Sequence, residues 1–138
     1  MIIDLKSQLI RDEGLRLFPY EDETGHITIG VGRNLTNDGI SSPEAITLLM
    51  NDIQAATTAL SQNYPWTDVV DEVRREVLIN MVFNLGIGDF SQFREFLAAV
   101  QVGNWQEAAN KMLDSEWARQ VGPRAQRLAI QITEGVRQ

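Results

Sequence analysis

Glu13-Gly14-Leu15-Arg16-Leu17-Phe18-Pro19-Tyr20-Glu21-Asp22-Glu23-Thr24-Gly25-His26-Ile27-Thr28-Ile29-Gly30-Val31-Gly32 is the stretch on which the fold turns, because it carries the chain from the end of a helix into a glycine-rich hairpin. Upstream, Leu5 and Leu9 lie one helical turn apart with Ile2 and Ile10 beside them. That spacing predicts a short amphipathic helix over Asp4–Glu13, and Gly14 supplies its stop. From Leu15 to Thr36 the pattern changes to turn signals and short alternating runs. Ile27, Ile29 and Val31 fall on one side of a strand, with His26, Thr28, Gly30 and Gly32 on the other. Glu23-Thr24-Gly25 is the turn between the first two strands, so a small antiparallel sheet is expected.

The rest of the chain reads as helices. Ser41-Ser42-Pro43-Glu44 opens one, with Ser41 capping free amides, Glu44 reaching back and Pro43 tolerated in the first turn. Ala45, Leu48, Leu49, Ile53, Ala56 and Leu60 hold its stripe until Tyr64-Pro65-Trp66 breaks it. Val69, Val73, Val77, Leu78, Met81, Val82 and Leu85 form the most apolar segment, the expected centre of the core, closed by Gly86 and Gly88. Phe90, Phe93, Leu97 and Val100 mark a further helix. Asn104 with Glu107 resembles a capping box for Trp105–Leu113, and Pro123 opens a last helix with Leu128, Ile132 and Val136. Strands followed by helices predict an α+β fold: a small lobe with the hairpin, then five or six helices joined through the long helix that follows Pro43.

Composition narrows the function. At 138 residues one domain is expected, large enough for a real core. The chain has no cysteine, which removes disulfides, thiolate metal sites and cysteine nucleophiles. Met1 to Ile10 carries Asp4 and Lys6 and is too short and too charged for a signal-peptide core or a membrane anchor. The net charge is −7. Asp38, Glu44, Asp52, Asp68, Asp71 and Glu72 follow one another with no basic residue between them, the pattern of a solvated helical face. Such a chain is a poor nucleic-acid binder, since binding depends on neutralising phosphates.

Two carboxylates on different elements suit glycoside hydrolysis, one to protonate the leaving oxygen and one to activate water. Glu13 ends its helix and lies one turn after Leu9, so its side chain leans toward the face the helix is expected to bury. Partial removal from water raises a carboxyl pKa, the condition for a general acid; an ion pair with an arginine is the plainer alternative. Asp22 sits in the acidic run Glu21-Asp22-Glu23, and by itself reads as a turn former bonded to its own backbone. Thr28 could hold a water through its hydroxyl, or sit in the strand simply because it is β-branched. His26 is the single histidine, too little for a metal site. Phe83 is core or a platform under a sugar ring. Asn84 is a cap or a partner for an acetamido group.

These residues resemble the phage-type lysozymes, those of the T-even bacteriophages and related endolysins. The likeness rests on Asp12-Glu13-Gly14-Leu15-Arg16-Leu17, Tyr20, Asp22, Gly25, Thr28-Ile29-Gly30 and Gly32, and continues through Arg74-Arg75, Leu78 to Gly86, Trp105 to Ala109, Ser115 to Gln120 and Arg124-Ala125. It implies a lysozyme-like α+β domain over residues 1–138. That domain would have a three-stranded antiparallel sheet, lobes at about 12–62 and 66–138, and the first helix packed on the C-terminal lobe. It also implies an inverting muramidase that cuts the β-1,4 bond between N-acetylmuramic acid and N-acetylglucosamine in peptidoglycan, with no cofactor. By position Glu13 is the general acid, Asp22 the base (chosen over Glu21 and Glu23 by spacing) and Thr28 the water-holding hydroxyl. Arg124 is the arginine paired with Glu13. Phe83 contacts substrate, as do Asn34, Phe93 and Lys111, whose residue types depart from the T-even pattern. Arg33 stands where those enzymes usually have histidine, and its expected partner is Asp52.

The implied protein is a monomeric endolysin. It waits in the host cytoplasm for a holin to release it to the periplasm and wall, with no membrane anchor and no nucleic-acid partner. A lytic transglycosylase or a non-catalytic wall-binding module are the competing readings. The T-even enzymes are basic, whereas this chain is acidic, so long-range attraction to an anionic wall should be weak. Lysis of permeabilised cells, followed by turbidity, should therefore change only modestly as salt is raised; a steep loss contradicts this.

Overall fold

Asp4 starts the first helix by accepting a hydrogen bond from the Ser7 amide at 2.8 Å. The structure, a computed structural model, describes residues 4–138, so Ile2 lies outside the described residues. Helix α1 (Leu5–Glu13) ends at Gly14, whose φ of 79° is a conformation that favours glycine and whose amide reaches the Ile10 carbonyl. Strands β1 (Arg16–Glu21), β2 (Ile27–Gly30) and β3 (Arg33–Asn34) form an antiparallel sheet in that order. Its register pairs Tyr20 with Thr28, Glu21 with Ile27, Thr28 with Asn34 and Ile29 with Arg33. The β1–β2 ladder is irregular between Arg16 and Tyr20, where Pro19 has no amide hydrogen to give.

A short helix α2 (Leu35–Asp38) leads to α3 (Ser42–Asn63). The chain divides into two compact units between Leu48 and Leu49, within α3. The expected capping box is present: the Glu44 amide donates to Ser41 Oγ at 3.2 Å and the Ser41 amide to Glu44 Oε1 at 2.8 Å. The same Glu44 oxygen accepts from the Arg33 guanidinium at 2.8 Å, and Arg33 also donates to the Gly39 carbonyl at 3.2 Å. Arg33 therefore pairs with Glu44, not with Asp52 as the sequence suggested. Asp52 instead lines a hollow of about 350 Å³ with Ala56, Ala59, Phe83 and Ile87. The Glu44 carboxylate, already oriented by the cap at the helix start, accepts a charge-assisted bond from the arginine beside it.

In the second unit a 3₁₀ turn (Pro65–Val69) follows the expected break. Helices α4 (Glu72–Leu85), α5 (Ile87–Phe90), α6 (Arg94–Gln101), α7 (Trp105–Leu113), α8 (Glu116–Val121) and α9 (Pro123–Glu134) complete the chain. Val69 is 89 % exposed and lies outside the central helix, which starts only after its Asp71 cap. Phe90 ends one short helix and Phe93 precedes the next, so these aromatics do not share a helix. The core joins Val77, Leu78 and Met81 of α4 to Phe90, Phe96, Val100, Met112 and Ile132, with Leu60 of α3.

Arg74 ties the two ends of this unit together. Its guanidinium donates to the Ile132 and Thr133 carbonyls at 2.6 and 3.0 Å, satisfying the end of α9, and lies 4.5 Å from the Trp105 ring centroid. None of the described helices is long and apolar enough to cross a membrane.

The hydrogen bond and charge of Arg33, with the Ser41 amide, lower the Glu44 pKa from 4.5 to about 2. A folded-state pKa below the unfolded value stabilises above the unfolded value and loses its effect as pH falls through the folded one. Glu44→Gln should melt at a lower temperature than the parent near neutral pH, with the gap narrowing between about pH 4.5 and 2. A gap unchanged across that range, by circular dichroism, contradicts the pairing.

Candidate active site

The first unit carries the three residues expected to do the chemistry. Glu13 is the last residue of α1, and none of the described residues of that helix is buried. Glu13 itself is exposed, so the expected withdrawal from water is not found. Its carboxyl lies beside Gly32. A β-carbon at Gly32 would lie 2.9 Å from Glu13 Oε2 and 3.2 Å from its Cδ, and Gly32 has φ of +71°. The acid thus rests against main chain where a side chain would otherwise stand.

Asp22 closes the turn between β1 and β2. Its Oδ1 accepts three hydrogen bonds at 2.8 Å, from the Thr24 amide, the Thr24 hydroxyl and the His26 amide. These donors, the His26 amide and the Thr24 hydroxyl foremost, hold the Asp22 pKa below the ordinary 3.8. Hydrogen bonds that favour the charged form keep this carboxyl ionised at neutral pH. The turn-former reading of Asp22 is what the structure shows, since the amides and hydroxyl of its own turn are its partners. His26 Nδ1 lies 2.6 Å from Thr24 Oγ1 and 3.6 Å from Asp22 Oδ2.

Thr28 lies in the middle strand and is 4 % exposed. Its hydroxyl donates to the His26 carbonyl at 3.1 Å, so toward any water it offers lone pairs. Asn34 accepts from the Asn37 amide at 3.0 Å and caps α2. The contacts of Thr24 and His26 with Asp22 were not foreseen from the sequence. The signal was available only as an aspartate two and four residues before them in a tight turn.

The second unit carries the remaining candidates. Phe83 is 43 % exposed on α4, unlike its buried neighbours Met81 and Val82, which makes its ring available to a ligand. Asn84 accepts from Trp117 Nε1 at 2.7 Å. Arg124 gives two hydrogen bonds, at 3.1 and 2.7 Å, to Asn80 Oδ1. Asn80 was not singled out in the sequence, and its place one turn before Asn84 was the only hint. Phe93 and Lys111 line one hollow of about 360 Å³ with Gln92, Glu95 and Ser115. Lys111 is held by Glu95 at 2.9 Å and faces Glu107 at 3.8 Å, and these carboxylates raise its pKa. Among the described residues no group of three histidine, aspartate or glutamate side chains is placed to hold a metal ion.

Gly32 and Gly30 separate backbone strain from chemistry. Both have positive φ, but a β-carbon at Gly30 would meet nothing within 4 Å. Alanine at either position should cost on the order of 1–2 kcal/mol of stability through its backbone conformation. Only Gly32→Ala should also lose activity, by about tenfold or more, through displacement of Glu13. Melting temperatures and lysis rates of the two variants check this; equal activities contradict it.

The phage lysozyme family model matches residues 11–131. Among curated proteins the chain is 28 % identical to a probable T4-type lysozyme 1 of Dictyostelium discoideum, over 98 % of this chain and 96 % of that protein. It is 31 % identical to the pre-baseplate central spike protein Gp5 of Enterobacteria phage T4, over 96 % of this chain but 28 % of that protein. It is also 28 % identical to the endolysin of Salmonella phage P22, over 78 % of this chain and 77 % of that one. With an α+β fold, a three-stranded sheet and a match over nearly its whole length, the chain belongs to the phage lysozyme family and is a lysozyme-type glycosidase.

Proposed function

We propose that this lysozyme hydrolyses the β-1,4 bond from N-acetylmuramic acid to N-acetylglucosamine in peptidoglycan, by an inverting route, and so lyses its host. Glu13 protonates the leaving oxygen. Asp22 takes a proton from the attacking water, and Thr28 holds that water as an acceptor. The observation that carries this reading is the Asp22 carboxylate: three donors on one oxygen keep it charged, while its second oxygen accepts none of those three. An ionised carboxylate with one oxygen clear of the turn's own donors can take a proton from water. Water adds across the glycosidic bond, its hydroxyl to the anomeric carbon. The Glu13 proton goes to the departing oxygen, and the water's second proton goes to Asp22.

Phe83, Asn84, Asn34, Phe93 and Lys111 are the proposed sugar contacts, with Phe83 offering its exposed ring face. The protein acts as a monomer, held in the host cytoplasm until a holin-type pore releases it to the wall. Expression in a host with and without such a pore tests the route, since prompt lysis without a pore contradicts it. Sedimentation as a dimer would contradict the monomer.

Glu13→Gln and Asp22→Asn should each lower lysis by at least about 100-fold while remaining folded. Proton NMR of fresh products should show the α-anomer first. Full lysis by Glu13→Gln, or an anhydro-sugar product by mass spectrometry, would overturn the assignment, the latter in favour of a lytic transglycosylase.

A further inference from the structure

We infer that His26 and Thr24 are positioning residues for Asp22, acting through a hydrogen-bond relay from His26 Nδ1–H to the Thr24 hydroxyl and from that hydroxyl to Asp22 Oδ1. The inference rests on the reading of Asp22 as the base. Its starting point is the order of the donors. Thr24 Oγ1 stands 2.8 Å from Asp22 Oδ1 and 2.6 Å from His26 Nδ1, so it bonds both. A hydroxyl has one hydrogen, and an ionised carboxylate can only accept. The hydrogen must therefore point to Asp22, because two sets of lone pairs facing at 2.8 Å would repel. The imidazole nitrogen must then be the donor to Thr24. This order fixes His26 as the tautomer with hydrogen on Nδ1, leaving Nε2 bare in the neutral ring.

The relay divides the labour between the two carboxylate oxygens. Oδ1 is occupied by the Thr24 hydroxyl and the amides of Thr24 and His26. Oδ2 lies 3.6 Å from His26 Nδ1, beyond hydrogen-bond range, and stays available to water. The amides alone fix where Oδ1 sits. The hydroxyl, approaching from the side chain and itself held by the imidazole, restrains rotation of the carboxylate about that point, which decides where Oδ2 aims. Both His26 and Asp22 side chains are about one third exposed, so the relay is only partly open to competing water. Successive donors along such a chain also polarise one another.

The chain has a single histidine, so its ring nitrogens can be read without assignment. Long-range proton–nitrogen NMR of the ¹⁵N-labelled protein at pH 8 should show a protonated Nδ1 and an unprotonated Nε2. In Thr24→Val the preference should pass to Nε2–H. On soluble peptidoglycan fragments, Thr24→Val and His26→Ala should lower kcat by about five- to twenty-fold with KM unchanged, as for a base that is present but misaimed. Thr24→Ser, which keeps the hydroxyl, should restore both tautomer and kcat. An Nε2–H tautomer in the parent protein overturns the relay without needing any variant. Wild-type kcat in a folded Thr24→Val does so as well. If Asp22→Asn is inactive in those cases, the assignment of Asp22 survives and only the relay fails. Full activity of Asp22→Asn overturns the assignment itself, whatever the tautomer.

Discussion

The small unit brings its helix end against its hairpin at one missing side chain. Gly32 lets the Glu13 carboxyl lie against the main chain of the hairpin, at a distance where a β-carbon would stand 2.9 Å from its oxygen. An exposed glutamate at a helix end would otherwise sample several rotamers and lose entropy on being fixed. Here Gly32, in the turn between β2 and β3, leaves room for one such rotamer against the main chain. The same positive φ that makes room for the acid keeps any other residue from replacing the glycine without strain. Helix end and hairpin are thus matched to each other within the unit, through a backbone requirement at a residue far along the chain.

The larger unit solves a different problem. Its helices are short, and short helices leave a high fraction of unpaired carbonyls and amides. Side chains take them up. Asp71, Asn104 and Ser115 each accept from an amide at the start of a helix. Arg74 and Gln131 cross between the two ends of the unit, Arg74 to the carbonyls that end α9 and Gln131 to the Val73 carbonyl at 2.9 Å. With the backbone satisfied in this way, α4 can bury Val77, Leu78 and Met81 at its centre and still leave Phe83 outside the core.

Local physics was legible in the sequence and distant pairing was not. Gly14, the Ser41–Glu44 box, the Tyr64-Pro65-Trp66 break and the Asn104 cap all operate within a turn or two of chain, and each was readable from residue type and spacing. Helix α8 was not, since Glu116–Val121 is too short to show a period. Nor was the split between Phe90 and Phe93, because both pack on aromatic rings, Phe90 on Tyr64 and Phe93 on Phe96 and Trp117, from different elements. Arg33 failed for a third reason. Its partner Glu44 was already assigned to capping, and one carboxylate oxygen proved able to serve both. At the site, Glu13 and Asp22 were visible as carboxylates, but the residues gave Asp22 only as a turn former. Family likeness supplied the role proposed for it, which a turn former held by its own amides can also fill.

The acidic surface bears on how such an enzyme finds its wall. Several cations are committed to neighbouring carboxylates: Arg33 to Glu44, Arg119 to Glu116, Arg137 to Glu76 and Lys111 to Glu95. Pairing removes most of the field each would cast beyond a Debye length, and the remaining balance is negative. Attraction must then arise at contact, from ring faces such as Phe83 and from polar groups that can be freed or shared. Lys111 shows the consequence most clearly. Beside Phe93 it could meet a sugar or peptide substituent, but an incoming anion would have to compete with Glu95 and Glu107 for the ammonium, while a neutral acceptor could share it without breaking either pair. For the sugar contact proposed at Lys111, two glutamates and not the lysine itself would set the preference, toward neutral polar groups over charged ones.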